Sequence, residues 1–345
     1  MLESVHLTFY RVHHCGYFRR GKDKPEFGEF PSTVTDLREW LSNRVFGSTT
    51  TFSPDVEDDV TQIYCLSIDS QDNNDCLLTL WNATAGASNS IASVDRQALV
   101  GSATVATHTV PGDRIPGFPT RFWIMPSERI IASIRMKDAK SNQAGFGRYL
   151  DGFLRTISSH VVKENGDGES DVVITGYREK PDGELEDVHP KFALRIINNP
   201  TKLDEIRDNY GEIRQLARRE ELPHSIPIKR GTLHRMLTSF GLTSAASFTD
   251  DVKVRFQVRF EPTRDQVDEI IQHWEETDAH SKYDDVGFIM KGRSSPVWLS
   301  HSYERKLLKI DVKRKGQGED IDSRALLVAL SKYRDEVIAR LVRVT

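Results

Sequence analysis

Two short alternating stretches hold the residues most suited to chemistry in this chain. Over residues 252–260, Val252, Val254, Phe256, Val258 and Phe260 alternate with Lys253, Arg255, Gln257 and Arg259. Successive side chains of a strand point to opposite faces, so one face is apolar and the other carries three positive charges. Arg264 follows shortly after. Over residues 305–313, Arg305, Lys309 and Lys313 share one parity with Asp311, and Arg314 and Lys315 come next. If both strands lie in one sheet, their cations form a plate. Cations two residues apart repeat at about 6.6 Å, and duplex phosphates recur about every 3.4 Å of rise along each strand. Such a row tracks a phosphate backbone without reading bases, which predicts sequence-independent, salt-sensitive binding. About four to six contacted phosphates would give a slope of roughly −4 to −5 in log K against log salt. The same cations also suit the wet side of an antiparallel sheet, although aligned like charges destabilise it.

A second basic patch joins Arg19, Arg20, Lys22 and Lys24 to Tyr17 and Phe18. Aromatic rings beside cations can stack on bases; an ordinary exposed turn has the same composition. His13-His14-Cys15 resembles a fragment of a metal site, with Cys65 and Cys76 as further thiols, but no paired ligands at short fixed spacing support it. Asp55, Glu57, Asp58 and Asp59 could hold a divalent ion in a nuclease; a run of carboxylates also marks a solvated loop. No dinucleotide-binding, Walker, nucleophile-elbow or His-Glu-x-x-His motif is present. The expectation is a non-enzymatic protein with no metal and no cofactor.

These groups sit in an ordinary globular composition. The chain has 345 residues, 38% hydrophobic and 28% charged, enough for two domains and against disorder. The net charge of −4 means that any polyanion must be held by a local basic face. No apolar run approaches the ~18 residues of a membrane helix, and the polar, alternating start is unlike a secretory signal. Three dispersed cysteines suit a reducing cytoplasm.

Strands are expected near residues 5–12, 62–68, 76–81, 122–125, 129–136, 172–177, 191–197, 252–260, 285–290 and 304–313. Phe146, Leu150, Phe153, Leu154, Ile157 and Val161 form one helical stripe, weakened by Gly145, Gly147 and Gly152. Leu203, Ile206, Tyr210 and Ile213, spaced by three and four, predict a helix over 201–220 whose narrow seam suits a dimer contact or the helix's own core. One last helix is expected over about 322–342. Together these predict an α+β fold with mixed or antiparallel sheets in two lobes. The expected segments are an N-terminal lobe over 1–160, a middle segment over 161–248 that supplies dimer contacts, and a C-terminal basic segment over 249–345.

Three segments resemble the RexA-like phage exclusion protein family. They are Gly16-Tyr17-Phe18-Arg19-Arg20-Gly21-Lys22-Asp23-Lys24; Gly117-Phe118-Pro119 followed by Arg135, Leu150 and Phe153-Leu154; and residues 251–271, where Arg259, Arg264 and Asp265 fall on matching positions. Residues 285–338 keep the family's strand–strand–helix order. The resemblance implies a symmetric α+β homodimer that binds DNA without sequence preference in the cytoplasm of a bacterial host, prophage-encoded and acting with a RexB-like membrane protein. It carries Arg259 and Arg264 over as DNA contacts; Lys253, Arg255, Lys309 and Lys313 rest on strand parity. The alternatives are a metal-dependent nuclease or other defence effector built on Asp/Glu pairs, and a protein–protein adaptor.

Overall fold

The computed structural model describes residues 2–53, 61–84, 90–94, 105–109, 111, 114–136, 142–165, 172–222, 252–276, 285–312 and 321–342. The acidic run at Asp55 to Asp59 and the cations Lys313, Arg314 and Lys315 lie outside them. The fold is α+β. Among the described residues, six α-helices accompany antiparallel ladders, and the chain divides into two compact units.

The first unit takes in Met1–Pro54, Val60–Leu194 and Arg305–Val342. Its seven-stranded sheet is built on β1 (Leu2–Phe18), β2 (Ile63–Ser70), β3 (Cys76–Ala83), β6 (Gly117–Met125), β7 (Ile130–Arg135), β10 (His189–Ile196) and β15 (Arg305–Asp311), in the order β10-β1-β7-β6-β3-β2 with β15 also on β1. Two hairpins, β4 (Ser90–Val94) with β5 (Val105–Thr109) and β8 (Val161–Asn165) with β9 (Val172–Tyr177), stand apart from it. Alternate residues of the central strands meet different helices. Phe122 meets Phe146 of α2 (Gln143–Thr156) in a tilted ring contact at 4.4 Å, and Phe192 links Phe146 to Phe30 of α1 (Phe30–Leu41). The opposite parity carries Thr79, whose hydroxyl meets Ser323 at the start of α5 (Ser323–Ser331). Burial on both faces explains why Cys76 to Leu80 and Phe122 to Met125 read as unbroken buried runs rather than alternation.

Two of the glycines that lower the helix propensity of α2, Gly145 and Gly152, are there for close approach, while Gly147 faces open space. A Cβ on Gly152 would stand 2.7 Å from the Thr51 carbonyl oxygen. The helix begins at Asn142, whose side chain accepts from Gly145 N at 2.8 Å. Val45 lies beyond α1 and is 76% exposed. The expected final helix is two helices, α5 and α6 (Arg334–Val342), separated at Lys332 and Tyr333.

The second unit is Arg195–Glu304. It runs α3 (Pro200–Asp208), β11 (Ile213–Leu222), β12 (Val252–Arg259), α4 (Arg264–Glu276), β13 (Asp285–Met290) and β14 (Val297–Trp298), with the antiparallel sheet order β12-β11-β13-β14. One sheet face, with Leu216, Val286 and Phe288, packs on Leu203 and Ile206 of α3 and on Val267 and Ile271 of α4. The boundaries expected near 160 and 248 are therefore not those of the fold. β15 and the last two helices return to the first unit, because Leu308 and Ile310 bury their parity there against β1.

The seam helix is corrected. The helix ends at Asp208, Tyr210 lies in a single 3₁₀ turn, and Ile213 opens β11. Leu203, Ile206 and Ile213 belong to the core of their own unit, which removes them as dimer contacts. Ile206→Asp would bury an unpaired charge there. We expect loss of cooperative folding by circular dichroism rather than a folded monomer by light scattering.

Candidate nucleic-acid interface

The two basic ribbons do not form one plate. β12 and β15 belong to different sheets in different units. Strand parity is as expected on β15, whereas on β12 the cations are exposed but so is Val258, at 60%, on the expected apolar face. On β15, Arg305, Leu307, Lys309 and Asp311 are exposed, while Leu308 and Ile310 are buried. The register places His6 opposite both Leu307 and Arg135, so Arg135 joins this face.

On β12, Arg255, Gln257 and Arg259 are exposed. The Lys253 backbone belongs to this strand, but its side chain lies outside the described residues. Register builds three rows across the sheet. Arg255, Arg219 and Asp285 form the first; Gln257, Ala217, Gly287 and Trp298 the second; Arg259, Gln215 and Ile289 the third. Ala217 and Gly287 are small, and the Trp298 indole fills the space they leave: a Cβ on Gly287 would stand 2.8 Å from that ring. Trp298 itself is only 8% exposed.

The arginines of the first row converge on the indole. The Arg219 guanidinium lies 4.5 Å from the ring centroid and that of Arg255 5.5 Å. Two arginines directly opposite one another would repel. Arg219 is answered on its far side by Asp285, at 2.8 Å, and that carboxylate also accepts from Ser300 N at 3.1 Å. Arg255 has no acidic partner among the described residues. It is steered along the strand by Gln257, whose amide oxygen, in the orientation satisfying both groups, accepts from Nη2 at 2.9 Å and Nε at 3.2 Å. Arg259 likewise forms no ion pair among the described residues. At ~3.3 Å per residue, Arg255 and Arg259 present two uncompensated guanidiniums about 13 Å apart.

The other candidates are less free. Arg264 pairs with Asp208 at 3.4 Å, a contact between two exposed side chains worth little. Arg19 is held by Glu26 and Glu186, both at 3.3 Å. Arg20 and Lys22 are exposed beside it. Tyr17 and Phe18, expected to stack on bases, are instead the buried end of β1. The Tyr17 hydroxyl bonds the Leu154 carbonyl and Ser158, both at 2.6 Å, so neither ring can receive a base.

Among the described residues no group of three or more His, Cys, Asp or Glu side chains could hold a metal ion. Burial pushes the thiols of Cys15, Cys65 and Cys76 up to about 12, which keeps them neutral and unreactive. Arg219 and Trp298 escaped the sequence reading because Arg219 lay in an expected helix and Trp298 gains meaning only from the register. Neither family models, curated proteins nor solved structures yield a match to this chain.

Proposed function

We propose that this chain is a non-enzymatic, sequence-independent DNA-binding protein of a temperate-phage exclusion system, working as a cytoplasmic homodimer and binding through the β12 ribbon. The observation that carries the reading is the pair Arg255 and Arg259. They are exposed, share one strand face and have no carboxylate partner among the described residues. Phosphates are met well by guanidinium groups, whose fixed fork of donors suits their oxygens. A ribbon of two to three cations per subunit positions a backbone and reads no base edges, hence the absence of sequence preference. Arg264, at the start of α4 and weakly paired with Asp208, is a further phosphate contact outside the ribbon. The exclusion role rests on the RexA-like segments, two of which hold Arg19 and Arg259.

Among the described residues no helix is long and apolar enough to cross a membrane, and a RexB-like membrane partner is proposed on the resemblance alone. Incubation of the purified protein with supercoiled plasmid and Mg²⁺ or Mn²⁺ tests the non-enzymatic reading. The expected result is a mobility shift that protease treatment reverses to intact supercoils. Nicked or linear product that persists through purification would replace binding with nuclease chemistry.

A further inference from the structure

The second unit holds a cavity of about 510 Å³ beside the ribbon's sheet, lined by α3, the β13–β14 turn and the 3₁₀ turn after β14. Its volume falls within the range of small-molecule sites. Its lining is of three kinds. Ile206, Met290 and Val297 supply an apolar floor. Lys291 and Arg293 stand on the turn, which reverses at Gly292 with φ +76°, and Lys202 joins them from α3. Glu205, Asn209 and Glu212 supply acceptors.

The charges on this rim are not spent on each other. Lys291, Arg293, Glu205 and Glu212 form no ion pair among the described residues. Lys202 Nζ donates to the His301 carbonyl at 3.0 Å, which holds that ammonium at the cavity without neutralising it. Separated cations and carboxylates around one apolar floor select a ligand that carries all three complements. A bare anion leaves the floor and the glutamates unanswered. An aliphatic phosphate leaves the glutamates unanswered, and a cation is repelled by the turn.

We propose that this cavity binds a nucleoside phosphate. Its phosphate meets Lys291 and Arg293, its ring covers the apolar floor, and its ring N–H groups donate to Glu205, Glu212 or Asn209. Trp298, over which Arg255 lies, also lines this cavity, but the cations invoked here are Lys291 and Arg293, and the proposal does not rest on the DNA reading. It gives the unit a place to register a small metabolite.

Calorimetric titration of the full chain with GMP and AMP, and with guanosine, ribose 5-phosphate and inorganic phosphate as fragments, tests it. The expected result is saturable binding of a nucleotide at one site per chain, at least tenfold tighter than any fragment. Lys291→Ala with Arg293→Ala, both exposed turn positions, should weaken the nucleotide about tenfold or more. It should leave the weak affinity for guanosine unchanged and the circular dichroism unaltered. Inorganic phosphate binding as tightly as the nucleotide would reduce the site to an adventitious anion patch. No nucleotide binding, or nucleotide binding indifferent to the double variant, would overturn the proposal.

Discussion

Replacing Arg255 and Arg259 together by alanine is expected to weaken DNA binding about a hundredfold or more at ~0.1 M salt, equally for unrelated sequences. Each cation that neutralises a phosphate releases condensed counterions, and the proposed dimer would lose four such cations in this variant. Both side chains are exposed on β12, so the fold should be unchanged by circular dichroism. The paired change to lysine keeps the charges and should restore most of the affinity, with some loss from the missing bidentate contacts. Anisotropy with labelled duplexes reads both. An alanine variant that binds like the parent would remove β12 from the interface.

The second large effect is on stability. Asp75 is fully buried, and Arg334 of α6 reaches it through Nε at 2.7 Å and Glu128 through Nη2 at 3.2 Å. Burial holds the Asp75 carboxyl above the usual carboxylate range, opposed by its hydrogen bond and charge contact with Arg334. Arg334→Ala leaves a buried carboxylate without its cation, a loss of about 3–5 kcal/mol. That corresponds to a fall in Tm of roughly 6–20 °C for a unit of this size. The pH dependence has a definite sign. A carboxyl raised in the folded state binds more protons folded than unfolded, so its contribution to stability falls as pH rises from the unfolded value to the folded one. Above the folded value the penalty is complete and flat. Removing Arg334 raises the folded value further and widens that window. The variant's deficit should be largest at neutral pH and shrink on acidification toward about 4. Thermal scans of parent and variant at several pH values measure it. A deficit that grows on acidification would contradict the assignment.

Local periodicity told the truth where one face of an element decided its place. The stripe of Phe146, Leu150, Phe153 and Leu154 is the buried face of α2. Parity on β15 separated the exposed cations from buried Leu308 and Ile310; on β12 Phe256 is half-buried but Val258 is 60% exposed. What sequence spacing does not carry is pairing. β15 lies on β1 across almost the whole chain, and nothing local in either strand encodes that partner. The plate inferred from two cationic strands failed for this reason. The seam helix failed for another: Ile206, Tyr210 and Ile213 keep helical phase through Asn209 and Gly211, where the backbone has already turned toward β11. Trp298 was hidden because its platform is made by Ala217 and Gly287, distant residues whose only shared property is small size.

The claim that matters most is that an uncompensated cationic ribbon meets phosphates without reading bases. It is tested by equilibrium binding of the unaltered protein to two duplexes of equal length and unrelated sequence, across a salt series. Two arginines from each of two subunits predict one common line of log K against log salt, with a slope of about −3.6. Affinity that differs strongly between the two sequences, or that is insensitive to salt, would contradict the account.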